Sequence, residues 1–236
     1  LSHLYNSGCI LITGHPDTLA IKTDKNPKLV IKPAPAYDRK SKFHRVRSWL
    51  HYIFFVSKSI LLAKTGDSIL LVSNPPLLGV WVWLLTRIKK IPYAVLVYDI
   101  HPEVLVRLGM LKKNSLIVRF WNLINRVVYS NAKLVITIGD RMANILNMLI
   151  RSDAQQVVTV TPWVDTNDIK PMLRSENPYT QDFIKHTDEF IVLYSGNMGA
   201  SHDLDSMLEA ALILRMSEAI KFIFIGEGDK YKDIEQ

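Results

Sequence analysis

The sequence has 236 residues, of which 48% are hydrophobic, and a formal net charge of +7. This length and composition are typical of a globular α/β protein with one large domain or two small ones. Cys9 is the single cysteine, which excludes disulfides within the chain and thiolate metal clusters. The longest apolar run, 77–85, is too short to span a bilayer, and no signal-peptide pattern is present, so the chain is expected to be cytoplasmic.

The charge is unevenly distributed along the chain. Residues 1–150 hold 21 Lys+Arg against 7 Asp+Glu, a balance of +14, whereas residues 151–236 hold 8 against 15, a balance of −7. A basic half next to an acidic half indicates two domains. The basic domain is expected to face something anionic, such as a lipid surface, a polyprenyl phosphate or nucleic acid.

Hydrophobic periodicity and turn residues predict alternating strands and helices. A helix tail at 1–7 precedes a strand at 9–13, and a loop at 23–38, rich in lysine and proline, holds at most a short strand near 29–31. The elements that follow are helix 41–64, strand 67–72, helix 77–88, strand 93–98, helix 116–129, strand 134–138, helix 141–150 and strand 157–160. This alternation predicts a parallel sheet with helices on both faces, and helix 77–88, apolar nearly all round, belongs in its core.

Helix 41–64 is basic, aromatic and amphipathic, and it permits two interpretations. It packs on the sheet as an ordinary surface helix, or its basic face with Trp49, Phe54 and Phe55 contacts an anionic bilayer surface. The two interpretations are compatible.

The stretch from 190 to 205 organises the second half. A short strand at 190–194 is broken by Ser195-Gly196-Asn197-Met198-Gly199, and a helix with one apolar face follows, capped by Ser201 or Asp203. The next strand, 221–225, ends in Gly226-Glu227-Gly228. A right-handed crossover places both glycine loops at one edge of the sheet beside a helix N-terminus, where amides and the helix dipole suit a phosphate. Alternatively, Gly196 and Gly199 only make a tight turn. The spacing fits neither G-x-G-x-x-G nor a P-loop, which disfavours a dinucleotide or ATP.

The two sheets predict a division into three parts. Residues 1–165 form an N-terminal domain, 166–189 a polar interdomain connector, and 190–236 a partial C-terminal domain whose two strands are too few for a stable sheet. The sequence is therefore expected to be truncated at both ends.

Several short motifs recur in the order of a known family. They are Tyr98-Asp99-Ile100-His101-Pro102-Glu103, Leu108-Gly109-Met110-Leu111, Thr161-Pro162-Trp163-Val164-Asp165, Tyr194 to Gly199 with His202-Asp203-Leu204, and Phe224-Ile225-Gly226-Glu227-Gly228. In this order they resemble the landmarks of glycosyltransferase family 4, from about Gly8 to Gln236. The resemblance is closest to bacterial members that build surface polysaccharides and lipid-linked oligosaccharides.

This resemblance implies a GT-B architecture, in which two Rossmann-like domains face each other over a cleft. The N-terminal domain, here nearly complete but lacking its first strand, takes the acceptor, and the C-terminal domain takes a UDP- or GDP-sugar as co-substrate. It also implies transfer with retention of configuration and no bound metal or other cofactor. The sequence agrees in having no metal-spaced ligand cluster, and Asp203-Leu204-Asp205 has the letters of a D-x-D motif but opens a helix.

The resemblance assigns the donor to the glycine loops. The amides of the first loop and the helix dipole would stabilise the leaving diphosphate, with Asn197 and His202 adding hydrogen bonds. Ala200 stands where the family commonly has a basic residue, which leaves the positive charge to His202. The expected donor-binding residues are Ser195, Gly196, Asn197, Met198, Gly199, His202, Gly226, Glu227 and Gly228.

The acceptor side has its own candidates. Asp99, His101 and Glu103 follow the carboxyl end of a strand, and one of them would orient or deprotonate the acceptor hydroxyl. Alternatively, His101 is a loop histidine contacting Asp99, and Glu103 is an early helix acid that complements the dipole. Thr137 and Gly139 are expected to line the same cleft, although packing explains Gly139 equally well.

The predicted function is a retaining glycosyltransferase of the hexosyltransferase type, peripheral at the inner face of the membrane. Its partners are a nucleotide sugar, a lipid-linked or polysaccharide acceptor and an anionic membrane surface, without nucleic acid. The family's first glycine loop would precede Leu1 and its E-x7-E segment would follow Gln236, so this chain is expected to bind a donor poorly and to be nearly inactive. The alternatives are a UDP-sugar 2-epimerase of similar layout and a non-catalytic basic membrane-binding module.

Overall fold

The computed structural model describes residues 8–14, 29–36, 38, 41–75, 77–150, 156–162, 164, 166–167, 169–179, 189–199 and 202–235. The chain divides into two compact units, Leu1–Pro162 and Trp163–Gln236. The helix tail predicted at 1–7 lies outside the described residues, as do Trp163, Asp165, Ala200 and Ser201.

The first unit alternates strands and helices. Its strands are β1 Cys9–Thr13, β2 Leu29–Pro33, β3 Ile69–Val72, β4 Tyr93–Val97, β5 Leu134–Thr137 and β6 Val157–Thr159. Its helices are α1 Lys42–Leu61, α2 Leu78–Lys89, α3 Glu103–Arg107, α4 Leu116–Ser130 and α5 Asp140–Ile150. Among the described residues, none of the helices combines the length and apolarity needed to cross a bilayer.

All strand pairs in this unit are parallel, which confirms the predicted α/β class. β1 pairs with β2, and β3, β4, β5 and β6 form a second sheet in that order. The prediction of one sheet up to residue 160 is wrong for the described strands, which form two sheets. Hydrophobic periodicity identifies strands but does not specify which edges pair, because both sheets carry the same apolar pattern.

One face of the four-stranded sheet carries the core. Leu71, Val95 and Val135 lie in register on neighbouring strands and are almost completely buried. Residues of α1, α2, α4 and α5 join them in a single cluster, and these helices contact one another in that order. Within the described residues, the prediction of helices on both faces is therefore wrong for this sheet, because α1, α2, α4 and α5 share one layer. Successive right-handed crossovers that each move to the next strand place their helices on the same side.

Helix α2 belongs to that layer rather than to the centre of the core. Its Leu78, Val82 and Thr86 are buried, but Trp81 and Ile88 are 48% and 67% exposed. The prediction of a core helix is wrong in this respect, because a layer helix buries only the stripe that faces the sheet.

The second unit repeats the parallel arrangement with two strands. A 3-10 turn at Arg174–Glu176 lies in the predicted connector, followed by β7 Phe190–Ser195, α6 Asp205–Ile213, β8 Ile220–Ile225 and α7 Tyr231–Glu235. β7 and β8 pair in parallel from Phe190↔Ile220 to Ser195↔Ile225. Leu204 is buried, as predicted for the apolar side of this helix, whereas Leu212 is 63% exposed.

Candidate functional site

In the first unit, polar loops follow the carboxyl ends of β3, β4 and β5. Ser73 follows β3, Asp99 follows β4 and Gly139 follows β5. The Ser73 hydroxyl accepts a hydrogen bond from the Tyr98 amide at 3.2 Å, which joins the first two loops. Because the strands are parallel, these loops share one edge of the sheet, where α/β proteins commonly bind ligands.

A small cavity lies at this edge. It has a volume of about 30 Å³, and Ser73, Asp99, His101, Trp121 and Asn125 are among its lining residues. The Nδ1 atom of His101 is buried and has no hydrogen-bond partner in the described part of the chain. A polar cavity needs roughly 10–15 Å³ to hold a water molecule, so this one has room for a water or a small hydroxyl beside the imidazole.

Helix α4 holds the loop that carries His101. The Asn125 side-chain amide donates a hydrogen bond to the His101 carbonyl oxygen, and the Trp121 ring lies 6.2 Å from the imidazole. Tyr129 lines the same cavity, and burial raises its pKa to about 12. Asn125 was not predicted from the sequence. Its signal is a polar residue on the face of α4 that buries Val118 and Val128.

His101 and Glu103 differ in their surroundings. In the described structure no hydrogen bond joins His101 to Asp99, although both line the cavity, so the alternative of a loop histidine contacting that carboxylate stays a prediction. Glu103 is the first residue of α3, and its carboxylate lies 3.9 Å from Arg107 Nε one turn later. This position matches the alternative in which Glu103 is an early helix acid.

Thr137 and Gly139, the two residues predicted to line the cleft, differ in their exposure. Thr137 is fully buried in β5, so the prediction that its side chain lines a cleft is wrong: the alternation of β5 turns it toward the helix layer. At Gly139 an added Cβ would meet nothing within 4 Å, and its φ is not positive. Packing and backbone conformation therefore do not require glycine there, and the surface at Gly139 is open.

In the second unit the two glycine loops contact each other directly. The Gly196 amide donates to the Ile225 carbonyl oxygen at 2.9 Å and the Met198 amide donates to that of Glu227 at 2.7 Å. The Lys230 amide donates in turn to the Met198 carbonyl oxygen at 2.9 Å. The predicted meeting of the two loops at one edge of the sheet is thus present in the structure.

The glycines of the second loop are explained by this contact. A Cβ on Gly226 would overlap the Gly196 carbonyl oxygen, and one on Gly228 would lie 2.5 Å from the Met198 carbonyl oxygen. Both glycines also have positive φ values, of 151° and 150°. Their identity follows from the close approach of two backbones, independently of any ligand.

The first loop leaves a smaller set of groups for a ligand. Met198 has a side chain that is only 1% exposed, and both of its backbone polar groups are engaged, so it anchors the loop rather than facing a ligand. In the described part of the chain the amides of Asn197 and Gly199 make no hydrogen bond, and Asn197 is exposed. Among the described residues, a Cβ at Gly199 would meet only the flexible Asn197 side chain, with its nitrogen 2.9 Å away.

The N-terminus of α6 is occupied by carboxylates. The helix begins at Asp205, and Asp203 accepts hydrogen bonds from the Ser206 amide at 3.3 Å and hydroxyl at 2.9 Å, which confirms it as a cap. These Ser206 bonds hold the Asp203 pKa below its usual 3.8, helped by the positive charge of Lys230. The positive end of α6 is thus already capped by an acid, and the action of the helix dipole on a phosphate at the glycine turn stays a prediction.

Lys230 is a cation that sequence reasoning missed here. Its ammonium lies 2.8 Å from the Asp205 carboxylate, across from the start of α6. Lys230 belongs to the loop after β8, so the sequence of the first glycine loop and its helix does not contain it. Its signal is the short distance from Gly228 in the sequence.

A tyrosine and a histidine meet at the first loop. The Tyr194 phenol oxygen lies 2.6 Å from His202 Nδ1 and 2.8 Å from the Asn197 carbonyl oxygen. The two rings meet edge to face with centroids 6.3 Å apart. Tyr194 thereby connects β7, the glycine turn and the segment before α6.

The fold defines an α/β protein with parallel sheets. In the first unit the carboxyl ends of the strands carry a cavity lined by His101, and in the second unit they carry the two glycine loops, which contact each other. In the described residues no group of three or more His, Cys, Asp or Glu side chains is placed to hold a metal. Metal independence stays a prediction.

Comparison with known proteins gives a relative with an informative name. No family model matches the chain. A protein named probable glycosyltransferase WbjE, from Pseudomonas aeruginosa, is 27% identical over 196 residues, which are 81% of this chain and 48% of that protein. The chain thus spans about half the length of the curated relative that it matches.

Proposed function

We propose that this chain is part of a glycosyltransferase that transfers a sugar from a UDP- or GDP-sugar. The relative named a probable glycosyltransferase supports the reaction class. The observation that carries the proposal is the exposed turn after β7, where the amides of Asn197 and Gly199 make no hydrogen bond in the described structure. Free backbone amides in an exposed turn are hydrogen-bond donors that suit the oxygens of a diphosphate.

In this proposal the second unit stabilises the leaving group. The bond between the sugar C1 and the diphosphate oxygen breaks as negative charge grows on the diphosphate, and the two amides and His202 donate hydrogen bonds to it. Such preorganised donors act where charge develops and require no metal. The sugar passes through an oxocarbenium-like state.

The first unit supplies the acceptor side. The acceptor oxygen forms the new bond to C1, and its proton passes to Asp99 or to the buried Nδ1 of His101, which lie at one cavity. We propose that Asn125 holds the loop of His101 in place and that Glu103 stabilises helix α3 rather than taking part in proton transfer. Retention of configuration at C1 belongs to the proposal through the resemblance to family 4.

The outer surface of α1 supports a membrane-associated location. Phe43, Leu50 and Phe54 are 73%, 61% and 75% exposed on one side of the helix. Arg47 and Lys58 lie among them, and the helix contains no acidic residue. An exposed apolar stripe with interleaved cations complements an anionic bilayer surface, so we propose that α1 lies on the inner face of the membrane, near a lipid-linked acceptor.

A thermal-shift series tests the donor site. UDP, GDP, UDP-glucose, GDP-mannose and ADP are added to the wild-type chain and to Gly199→Val, which places a side chain over the turn while requiring only Asn197 to move. Ser217→Val, at a half-buried position after α6, is the control for a substitution elsewhere in the unit. A ligand at 100 times its Kd stabilises by about 2.7 kcal/mol.

The proposal expects one nucleotide class to raise the melting temperature of the wild type and of the control but not of Gly199→Val. Because this chain is expected to bind a donor poorly, the nucleotides are added up to millimolar concentration. Indifference of the wild type to every nucleotide at that concentration contradicts the proposal and favours the alternative of a basic membrane-binding module.

A further inference from the structure

The hydrogen bonds of the Tyr194 phenol determine where the His202 ring carries its hydrogen. The phenol has a single hydrogen and two close partners, the Asn197 carbonyl oxygen at 2.8 Å and His202 Nδ1 at 2.6 Å. A carbonyl oxygen can only accept, so the phenol donates to Asn197. The phenol oxygen is then left to accept, and His202 Nδ1 must be the donor.

The opposite arrangement would leave two oxygens in contact without a hydrogen between them. If the phenol donated to His202 Nδ1, its oxygen and the Asn197 carbonyl oxygen would face each other at 2.8 Å as two acceptors. Hydrogen positions are inferred from such networks, and only the first arrangement satisfies both contacts.

We propose that Tyr194 is a positioning residue that fixes His202 in the Nδ1–H form, so that His202 binds the donor diphosphate only after taking up a proton at Nε2. With Nδ1 committed as a donor, the neutral ring presents a lone pair at Nε2. Diphosphate oxygens also carry lone pairs and accept hydrogen bonds. Contact between them requires Nε2–H, which places a positive charge beside the diphosphate.

The surroundings of His202 supply no competing partner in the described residues. The charged side chains on the neighbouring segments are Asp203, Asp205, Glu227, Asp229 and Lys230. Asp203 is bonded to Ser206 and Asp205 to Lys230, and neither Glu227 nor Asp229 is bonded to the His202 ring in the described residues. Tyr194 provides the one hydrogen bond that the described structure shows for the imidazole of His202. The proton that accompanies the diphosphate therefore resides on the imidazole.

This inference rests on the proposed donor site, but its first test does not require a ligand. Histidine-selective ¹⁵N NMR of the free chain reports the tautomer directly, and His202→Gln assigns the signal among the seven histidines. We expect the Nδ1–H form in the wild type, and Tyr194→Phe should populate the Nε2–H form because the acceptor is lost. A wild-type ring that carries its hydrogen on Nε2 overturns the inference.

The second test counts protons on binding. UDP-glucose and GDP-mannose are suitable probes because their diphosphates are diesters with no proton to gain or lose near pH 7. Binding heats at about pH 8 in two buffers of different ionisation enthalpy give the protons bound per ligand. We expect close to one proton for the wild type, and affinity that falls up to about tenfold per pH unit as pH rises.

Tyr194→Phe and His202→Gln distinguish a role of Tyr194 in fixing the His202 tautomer from a role of His202 as a simple hydrogen-bond donor. Tyr194→Phe frees the neutral ring to donate from Nε2, so binding should persist with clearly less proton uptake and a flatter pH profile. His202→Gln keeps a neutral donor, so uptake should vanish and affinity should fall about tenfold or more, as expected for the loss of a charged hydrogen bond.

Binding without proton uptake in the wild type, or equal uptake in Tyr194→Phe, overturns this inference and leaves the donor site standing. Failure of every nucleotide sugar to bind contradicts the proposed function instead, and the tautomer in the free chain still decides whether Tyr194 fixes the ring.

Discussion

The side-chain amide of Asn125 donates a hydrogen bond to the carbonyl oxygen of His101 and so joins α4 to the loop after β4. Asn125 is only 9% exposed, so Asn125→Ala leaves a poorly solvated carbonyl without its partner. We expect the free energy of unfolding to fall by about 1–3 kcal/mol, measured by urea denaturation.

Asn131 is the matched control for that substitution. Its side-chain amide also donates to a carbonyl oxygen, that of Val127 at 2.8 Å, but Asn131 is exposed and water can replace the bond. Asn131→Ala should change stability by less than about 0.5 kcal/mol. Equal effects of the two alanines would show that Asn125 does not hold the His101 loop.

The close contact between the two glycine loops leads to a second prediction about stability. Gly226→Ala forces the β8 loop away from the Gly196 carbonyl oxygen and places alanine at a positive φ of 151°. Backbone strain and overpacking each cost about 1–3 kcal/mol, so the second unit should unfold at clearly lower denaturant concentration.

Gly139→Ala provides the contrast, because its Cβ would enter open space at an ordinary φ. It should leave stability within about 0.5 kcal/mol of the wild type. If Gly226→Ala were equally neutral, the two loops would not approach as closely as the structure shows.

The cap of α6 predicts a pH dependence. Because Ser206 hydrogen bonds lower the Asp203 pKa in the folded chain, this carboxylate contributes stability that is fully present above the ordinary value of 3.8 and lost as pH falls through the folded value. The melting temperature of Asp203→Ala should therefore lie below that of the wild type at about pH 6, and this gap should narrow below about pH 4.

Asp203→Asn is the control, because asparagine retains a capping oxygen but does not titrate. The difference in melting temperature between Asp203→Asn and Asp203→Ala should not depend on pH. If the difference in melting temperature between the wild type and Asp203→Ala stayed constant below about pH 4, the Asp203 carboxylate would not be the titrating group.

The exposed side of α1 predicts binding to anionic membranes. Leu50→Ser with Phe54→Ser removes two large exposed apolar side chains, each worth about 1.5–3 kcal/mol when buried, so co-sedimentation with phosphatidylserine vesicles should weaken at least about tenfold. Met148→Ser, at a position that is 77% exposed on α5, should bind as the wild type does. Equal loss in the control, or binding unaffected by the α1 pair, contradicts the proposed orientation.

Much of the local structure could be predicted from the sequence. Strands such as β4 and β5 are short apolar runs that end in polar or glycine-containing turns, and those signals are local. Sheet composition could not be predicted, because the pattern of β1 or β3 specifies a strand and not its neighbour. The exposed side of α2 was missed because a helix rich in apolar residues has the same sequence pattern in a layer as in a core.

The candidate site was predictable in position but not in partners. The loops after β4, β7 and β8 were identified from glycine, histidine and acidic residues at strand ends. The roles of Asn125, Lys230 and Tyr194 depend on contacts across 24, 25 and 8 positions in the chain, and such contacts leave no periodic signal. Gly226 and Gly228 suggested a ligand, whereas close backbone approach explains them.

The central claim is that the turn after β7 holds a nucleotide sugar's diphosphate, and amide NMR tests it most directly. During titration with UDP-glucose or GDP-mannose, the amide resonances of Asn197 and Gly199 should shift most, because these groups gain hydrogen bonds. Those of Gly196 and Met198 should shift little, since they already donate to Ile225 and Glu227. Binding that leaves the Asn197 and Gly199 resonances unmoved, or no binding of either sugar nucleotide even at millimolar concentration, would contradict this claim.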